Sequence, residues 1–225
     1  MNTRQLLSTF AALTFIVVPA AMQAQTSFVG SRGGVGGSTL NWNTLYGPSF
    51  GGVSSTAVAT GIGGLTISAS SNGSVLRLDQ GNGWSGGFLS GEALLWNQDN
   101  GILTLLFNND IFSAGANIQG DNFGDFTGWI SAYDASDALL GTFSLAGVSN
   151  PNGLGDQPFL GISSTGGFRK LTFFITNNLS AQDFAINQLS VNADVGDVVP
   201  EPATMTLLAT GLAGMMGLGR RRRRS

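Results

Sequence analysis

The chain has 225 residues, of which only 10% are charged, and it contains 34 glycines, no histidine and no cysteine. An ordinary soluble protein is about 25% charged. Without histidine and cysteine the chain has no Ser-His-Asp or Cys-His catalytic machinery, no zinc site of the usual kind and no disulfide. These counts exclude the commonest hydrolases, and we expect a protein that is not an enzyme.

Charge is distributed unevenly along the chain. Residues 25–199 contain four basic and twelve acidic residues, whereas six arginines lie at the two ends. Nucleic-acid binding requires a clustered basic face that can contact phosphates. We therefore expect no nucleic-acid partner for the acidic body of the protein.

The first 24 residues have the three-part layout of a secretory signal peptide. Arg4 supplies the positive charge, an apolar run follows from Leu6 to Val18, and small residues then lead to Ala24. The run is short for a membrane span of about 20 residues, which disfavours the alternative of an uncleaved membrane helix. We predict export by the secretion machinery and cleavage by signal peptidase after Ala24, with Ala20 or Ala21 as alternative cleavage positions.

The last 27 residues form a second ordered pattern. Pro200, Glu201 and Pro202 precede an uncharged segment, 203–219, which as a helix would reach about 26 Å and so approach the thickness of a bilayer core. Proline fixes its own φ and disfavours helix in the preceding residue, so the motif should be extended. The chain then ends in a basic run that would hold that end in the cytoplasm. This anchor consists of Arg220, Arg221, Arg222, Arg223 and Arg224. We predict a single transmembrane helix over 203–219.

This order of Pro-Glu-Pro, a glycine-rich apolar span and terminal arginines over 199–225 resembles the PEP-CTERM protein-sorting signal. The resemblance implies recognition by an exosortase, a membrane-embedded cysteine protease or transpeptidase that removes the tail. Pro200, Glu201 and Pro202 would then be the sorting motif. The implied location is the inner membrane with a periplasmic body before processing, and the cell surface or the extracellular space afterwards. A plain tail anchor is the alternative.

The body, residues 25–198, has the alternation of short β-strands. Leu171, Phe173 and Ile175 alternate with polar or partly polar neighbours, as do several other segments. Period two places one set of side chains on a buried face. Many short strands separated by turn residues predict an all-β fold, a jelly-roll-like β-sandwich.

Four local features qualify that prediction. Ile102–Phe107 is apolar at both parities and predicts a central strand covered on both faces, and Asp134–Asp137 predicts a hairpin turn. A change of parity near Asn187 predicts a β-bulge in the last strand. Glu92–Gln98 is the one segment that we predict as a helical turn.

The stretch Gly128–Val191 also resembles β-sandwich ectodomains of PEP-CTERM proteins, through pieces such as Trp129–Asp134, Leu140–Phe143 and Asp183–Asn187. Those domains look like carbohydrate-binding jelly rolls. Where relatives end on an acidic pair, this chain has Asn187 and Gln188, which disfavours a metal site at that position.

Four acids and five large aromatic residues are the remaining candidates for binding. Asp121, Asp125, Asp134 and Asp137 are close in sequence and are candidate calcium ligands, although their spacing matches no EF-hand and solvated loop acids are the alternative. Aromatic rings could stack on sugars or fill the core. The five are Trp42, Tyr46, Trp84, Trp96 and Trp129.

Two glycine motifs are not catalytic in this chain. Gly47–Gly51 matches a nucleophile elbow, but no histidine exists to activate Ser49. Gly81–Gly86 matches a dinucleotide fingerprint, yet further glycines follow it and disfavour the helix that a pyrophosphate needs, so we predict a turn.

These observations predict an exported, exosortase-processed protein that is a structural or adhesive component of an exopolysaccharide or biofilm matrix. A carbohydrate-binding module is the alternative. An aspartate-dependent polysaccharide-active enzyme is a third hypothesis, and it requires two convergent carboxylates.

Overall fold

The computed structural model describes residues 24–44, 56–60, 64–150, 157–179 and 181–193. These residues are mostly β-strand, which confirms the all-β prediction. One four-residue helix, α1 (Arg32–Val35), lies near the start. The strands are β1 (Thr26–Val29), β2 (Ser38–Leu40), β3 (Thr56–Thr60), β4 (Thr66–Ser71), β5 (Val75–Gln80), β6 (Gly83–Trp84), β7 (Ala93–Asn97), β8 (Leu103–Gly120), β9 (Gly124–Tyr133), β10 (Leu139–Ser149), β11 (Phe159–Asn177), β12 (Phe184–Ile186) and β13 (Leu189–Asn192).

Strands β8 and β11 are the framework of the fold. The main strand order is β10-β9-β11-β8-β12-β7-β5-β6, while β4 and β13 also pair with β8 and β1 pairs with β11. β8 runs through both groups of strands: its residues near Leu105 pair with β4 and β11, and its residues near Gln119 pair with β12. The long strands therefore connect a first sheet, built on β9, β10 and β11, to a second, built on β5, β7 and β12.

A single main core lies between these strands. Alternate residues such as Ile130 on β9, Leu171 and Phe173 on β11, and Leu95 on β7 are fully buried in one cluster. Burial of each such side chain stabilises the fold by about 1.5–3 kcal/mol. Because the chain has no cysteine, this apolar burial takes the place of disulfides.

Two glycines lie opposite each other where β8 pairs with β11, and their lack of a side chain is required there. Gly115 pairs with Gly161, and a Cβ atom at Gly115 would lie 2.6 Å from the Gly161 Cα atom and 2.6 Å from the Leu160 carbonyl oxygen. Real Cβ atoms do not approach backbone atoms so closely. The two strands can therefore lie at this separation only with glycine at position 115.

β7 is covered on both faces, whereas the segment Ile102–Phe107, predicted to be so from its composition, is not. The predicted helical turn at Glu92–Gln98 is wrong, because Leu95 faces the main core while Leu94 faces a second cluster on the opposite side. Conversely, Ile102 and Leu106 are 45% and 46% exposed, so the start of β8 is buried on one face only. Composition shows that both parities are apolar but not whether another segment covers each face.

The parity change near Asn187 marks a change of sheet, not a bulge within one strand. β12 pairs with β7, whereas β13 pairs with β2, and both pair with different parts of β8. Asn187 and Gln188 connect the two strands. The side chain and backbone of Asn187 bond to several neighbours at this connection, and this makes it part of a polar cluster described below.

Candidate functional site

The outer face of the first sheet carries aromatic and hydroxyl side chains. On paired strands β9 and β11, Trp129 lies beside Phe174, Ser131 beside Thr172, and Tyr133 beside Lys170. Their sequence neighbours, including Ile130 and Phe173, fill the main core. The pleat of the strands therefore places this second set on the opposite parity, although Ser131 and Thr172 are buried and Phe174 also packs against the edge of the main core. We refer to Trp129, Tyr133, Phe174, Ser131, Thr172 and Thr104 as the aromatic face.

Contacts on this face hold the rings in place. The Trp129 and Phe174 rings are parallel, with centroids 5.6 Å apart and an interplanar angle of 3°. The Trp129 Nε1 atom donates to Thr176 Oγ1 at 3.1 Å. Lys170 Nζ lies 4.1 Å from the centre of the Tyr133 ring and 2.6 Å from Asp137 Oδ1. Aromatic side chains held in this way offer rigid apolar surface at little entropic cost.

A cavity of about 320 Å³ opens beside these rings. Its lining combines ring surface from Tyr133 and Phe174 with hydroxyl and amide groups, and it contains no charged side chain. The lining residues are Asn72, Ile102, Thr104, Ser131, Tyr133, Thr172 and Phe174. Apolar walls with a few fixed polar groups are the usual composition of a site for a small uncharged ligand.

A cluster of polar side chains surrounds Arg32, close to the segment at Asn187 that connects β12 to β13. Arg32 Nη1 donates to the Gln188 carbonyl oxygen at 2.9 Å and to Ser190 Oγ at 2.8 Å, and Nη2 donates to Asn187 Oδ1 at 3.1 Å and Asn117 Oδ1 at 3.3 Å. We call these five residues the Arg32 cage. Four oxygen atoms from β8, β13 and the connection before β13 thus converge on one guanidinium group.

Neighbouring groups complete the Arg32 cage. Glu92 Oε1 accepts from Asn187 Nδ2 at 2.9 Å, and the buried Trp42 indole donates to the Asn187 carbonyl oxygen. Burial lowers the pKa of Arg32, and the nearby Glu92 carboxylate partly counteracts this. Since an arginine side chain ordinarily loses its proton only far above neutral pH, the group stays cationic at neutral pH. The cage therefore has its own positive charge.

The four candidate calcium ligands lie at opposite ends of one strand. Asp121 and Asp125 are at the start of β9, and Asp134 and Asp137 follow its end. Ten extended residues span about 30 Å, so the four carboxylates do not share one loop. In the part of the chain that the structure describes, no group of three or more acidic side chains is placed to hold a metal ion.

Asp134 instead stabilises a turn, as the hairpin prediction requires. Its Oδ1 atom accepts from the Ser136 N–H at 2.8 Å, the Ser136 hydroxyl at 2.7 Å and the Ala138 N–H at 2.9 Å. These bonds, the Ser136 hydroxyl first, lower the pKa of Asp134. β9 and β10 pair in antiparallel register across the turn, which confirms the predicted hairpin.

Asp121 has the opposite electrostatic setting. Neighbouring protein atoms remove part of the hydration of its carboxyl group, which raises the pKa of Asp121, and the Asp183 carboxylate raises it further. A raised pKa in the folded state means that ionisation opposes folding. The carboxylate at Asp121 is therefore destabilising at neutral pH.

We expect Asp121→Asn to raise the melting temperature slightly at pH 7, because the neutral amide removes this penalty. The gain should shrink as the pH falls and vanish below about pH 4, where the carboxyl group is protonated in both folded and unfolded states. Thermal melts of both proteins between pH 3 and pH 7 measure this. A gain that stays constant with pH would exclude the electrostatic explanation.

The predicted sugar-stacking aromatics divide between core and surface. Trp42 and Trp84 are buried, Trp96 is partly buried in the second cluster, and Trp129 lies on the aromatic face. Tyr46 and the motif Gly47–Gly51 lie outside the described residues. Sequence analysis missed Phe174, although its parity, opposite to that of Phe173, was the signal that placed it on the outer side.

The Gly81–Gly86 segment is a turn, as predicted. Gly81 has φ 84° and Gly83 has φ 102°, the left-handed conformations that favour glycine, and β6 pairs with β5 within the turn. No helix follows it, since β7 is the next regular element. The dinucleotide interpretation is thereby rejected on geometry as well as on sequence.

Residues 1–23 of the predicted signal peptide, the sorting motif and its basic tail lie outside the described residues. Over the residues that are described, no helix is long and apolar enough to cross a membrane. The predictions for 1–24, for the 203–219 helix and for Arg220–Arg224 therefore remain predictions at the level of structure.

Comparison with solved structures finds two distant likenesses. A DUF4465 family protein from Bacteroides caccae is 9% identical, with a TM-score of 0.37 over 77% of this chain and 90% of its own. The enzymatically active domain of tailspike protein 4 from bacteriophage CBA120 is 13% identical, with a TM-score of 0.29 over 59% of this chain and 20% of its own. At these TM-scores neither likeness carries a functional assignment. No curated protein matches the chain.

Comparison with protein families identifies the tail. The model of the PEP-CTERM protein-sorting motif matches residues 198–224, which include Pro200, Glu201, Pro202 and the terminal arginines. This confirms the resemblance found from the order of these residues. The motif implies an exosortase as processing partner and a protein that is membrane-anchored and then exported. The chain thus carries a PEP-CTERM protein-sorting motif over residues 198–224.

Proposed function

We propose that the processed protein is a non-enzymatic structural or adhesive component of an extracellular polysaccharide matrix. In this proposal the N-terminal segment is a cleaved signal peptide, the 203–219 helix anchors the protein in the inner membrane, and the exosortase releases the body to the cell surface. The body then holds polysaccharide through the aromatic face. The sorting motif supports the proposed export and processing, and the aromatic face supports polysaccharide as the proposed ligand.

The aromatic face carries the proposal because its composition matches the chemistry of a sugar. One side of a pyranose ring presents C–H groups that pack on an aromatic ring, while its hydroxyl groups need donors and acceptors. The face offers both, with the Phe174 and Tyr133 rings beside the Thr172 and Ser131 hydroxyls in one cavity. The uncharged lining favours a neutral polysaccharide segment over an acidic one.

The arrangement of acids favours binding over hydrolysis. A glycosidase needs two carboxyl groups about 5–9.5 Å apart across the scissile bond. Asp125 and Asp134, at the two ends of β9, are separated by about 30 Å. The Asp183 carboxylate contributes to the raised pKa of Asp121, and the proximity of these two acids is what supports the rival hypothesis of an enzyme. Release of reducing ends from polysaccharide by the protein, and its loss in Asp121→Asn, would favour that rival.

We expect Trp129→Ala and Phe174→Ala to weaken polysaccharide binding at least about tenfold each, which is a loss of about 1.4 kcal/mol. Affinity electrophoresis of the processed protein through gels containing the exopolysaccharide of a producing strain measures this as lost retardation. Phe123→Ala is the matched control, because Phe123 is 48% exposed and lies off the aromatic face. Equal retardation of all variants, with unchanged melting temperatures, would contradict the proposed binding surface.

A further inference from the structure

The outer face of the second sheet is covered by a glycine-rich segment. Residues 81–91 contain five glycines; they begin with β6, which pairs with β5, and their Trp84 and Phe88 side chains pack on the face formed by β5, β7 and β12. We call this segment the glycine strap. Its ends are joined by hydrogen bonds from the Gln80 N–H to the Glu92 carbonyl oxygen and from the Gly91 N–H to the Gln80 carbonyl oxygen, at 2.9 and 3.0 Å. Gly81 and Gly91, with φ 84° and 77°, stand at these two ends.

Beneath the strap lies an aromatic cluster that is separate from the main core. Trp84 and Phe88 of the strap, 4% and 6% exposed, pack with Leu78, Leu94 and Ala185, and Trp96 packs against them. The Trp84 ring lies 6.4 Å from Trp96, centre to centre, in an edge-to-face arrangement. The Trp84 and Phe88 rings of the strap thus pack together with the Trp96 ring of β7 on one face of the sheet.

Two glutamines on the same face bind the strap through its backbone. Gln119 Oε1 accepts from the Gly87 N–H at 3.0 Å and from Trp84 Nε1 at 3.1 Å, and Gln80 Nε2 donates to the Gly86 carbonyl oxygen at 2.7 Å. The strap lies so close that a Cβ atom at Gly86 would be 1.9 Å from Gln119 Oε1. A larger residue at this position would displace the Gln119 amide or the strap from the closed arrangement.

Three polar atoms on this face have no hydrogen-bond partner while the strap is closed. They are Gln80 Oε1, Gln119 Nε2 and Trp96 Nε1, and the Gln119 side chain is fully buried. A buried polar atom without a partner costs about 1–3 kcal/mol. The strap backbone thus satisfies one amide atom of each glutamine and leaves the other unsatisfied. A ligand with several hydroxyl groups, each both donor and acceptor, could satisfy both.

We propose that this face is a second saccharide site and that the glycine strap occupies it in the absence of ligand. When the strap lifts about its glycine ends, the Trp96 ring and the two glutamine side chains become accessible to a neutral oligosaccharide. The ligand is neutral because the side chains that form the face are uncharged. The inference rests on the proposed function only for the class of ligand.

The proposed second site and the aromatic face lie on different sheets of the same molecule, so the protein would have two saccharide sites. This face and the aromatic face both back onto the same main core and are directed away from it. One molecule could therefore hold two polysaccharide segments at once, and linked sites bind more tightly than either alone. That property would suit a protein that cross-links a matrix.

Two variants that disfavour the closed strap test the inference. Gly86→Ala introduces the Cβ clash with Gln119, and Phe88→Ser removes an apolar contact that holds the strap down. Gly33→Ala, where an added Cβ meets nothing within 4 Å, and Leu89→Ser, at a residue 78% exposed, are their matched controls. All variants are made in protein that carries both Trp129→Ala and Phe174→Ala, so that binding at the aromatic face is strongly weakened in every sample.

Calorimetric titration with cellohexaose, xylohexaose and mannohexaose is the measurement. If the open state is a minor fraction, opening the strap raises the apparent affinity by the inverse of that fraction. We expect a gain of at least about tenfold in Gly86→Ala and Phe88→Ser for one of these sugars, no gain in the two controls, and loss of the gain when Gln119→Leu is added. Folded, open variants that gain nothing would overturn the site.

If neither open variant folds, the protein with an intact strap decides the matter. The indole N–H resonances of Trp84 and Trp96 should move when the hexasaccharides are added at millimolar concentration, and unchanged resonances would overturn the inference. Failure here leaves the aromatic face untouched, because that face is tested by Trp129→Ala and Phe174→Ala in protein with an unaltered strap. The two proposals can therefore fail independently.

Discussion

Replacing Arg32 with alanine is expected to lower the free energy of unfolding by about 3 kcal/mol or more. The substitution removes the bonds that Arg32 donates to the Gln188 carbonyl oxygen and the Ser190 hydroxyl. It also removes one of the two donors to each of the Asn117 and Asn187 Oδ1 atoms, which keep only the bonds that these two asparagines donate to each other. Bonds to a charged group contribute about 1.5–3 kcal/mol each, and removing one partner of a partly buried polar network costs more than the network gains overall. For a domain of this size the melting temperature should fall by about 6–12 °C.

Thermal and denaturant unfolding of the processed protein measure this effect. Arg169→Ala is the matched control, because Arg169 bonds to Asp110 at 2.8 Å but both side chains are about half exposed, and such surface pairs contribute about 0–1 kcal/mol. Arg32→Lys should lie between the two, since it keeps the charge but not the two-sided donor geometry of the guanidinium. Equal melting of Arg32→Ala and Arg169→Ala would show that the Arg32 cage does not stabilise the fold.

The second large effect concerns processing. We expect Glu201→Ala and Pro202→Ala to accumulate uncleaved in the inner membrane of a producing strain, while the folding of the body stays unchanged. Glu201 is the only acid in the segment that the family model matches, so its replacement removes the one negative charge of the motif. Pro202→Ala restores an N–H group and relaxes φ, which allows a helix to begin earlier.

Membrane fractionation followed by immunoblotting separates processed from unprocessed protein. Thr206→Ala is the control, because it lies in the same matched segment, changes no charge and leaves both prolines in place. If the tail were only an anchor, all three variants would fractionate as the wild type does. Equal processing of Glu201→Ala and wild type would contradict a sorting role for the motif.

Strands and turns that depend on a local residue pattern could be predicted from the sequence. The burial of a strand face by a segment distant in sequence could not. Period-two alternation placed Leu171 and Phe173 in the core, and the residues Asp134–Asp137 predicted the turn that pairs β9 with β10. The Glu92–Gln98 segment was assigned wrongly, because its two apolar faces are explained only by the glycine strap that covers one of them. The residues of this segment alone do not indicate that the glycine strap buries one of its faces.

The candidate sites also differ in whether their residues are contiguous in sequence or distant from one another. The tail could be identified from residue order alone, since its three parts are contiguous and their roles depend on charge and hydropathy. The Arg32 cage could not, because Arg32 is separated from Asn117 and Ser190 by 85 and 158 positions. The four aspartates are near one another in sequence, but β9 separates Asp121 and Asp125 from Asp134 and Asp137.

Mass spectrometry of the C-terminus of the mature protein tests the central claim most directly. The claim is that the chain is an exosortase substrate whose body leaves the inner membrane. We predict that stable protein from a producing strain ends near residue 200 and lacks the peptides that contain Arg220–Arg224. Recovery of the stable protein with its intact arginine tail in the inner membrane would contradict the claim.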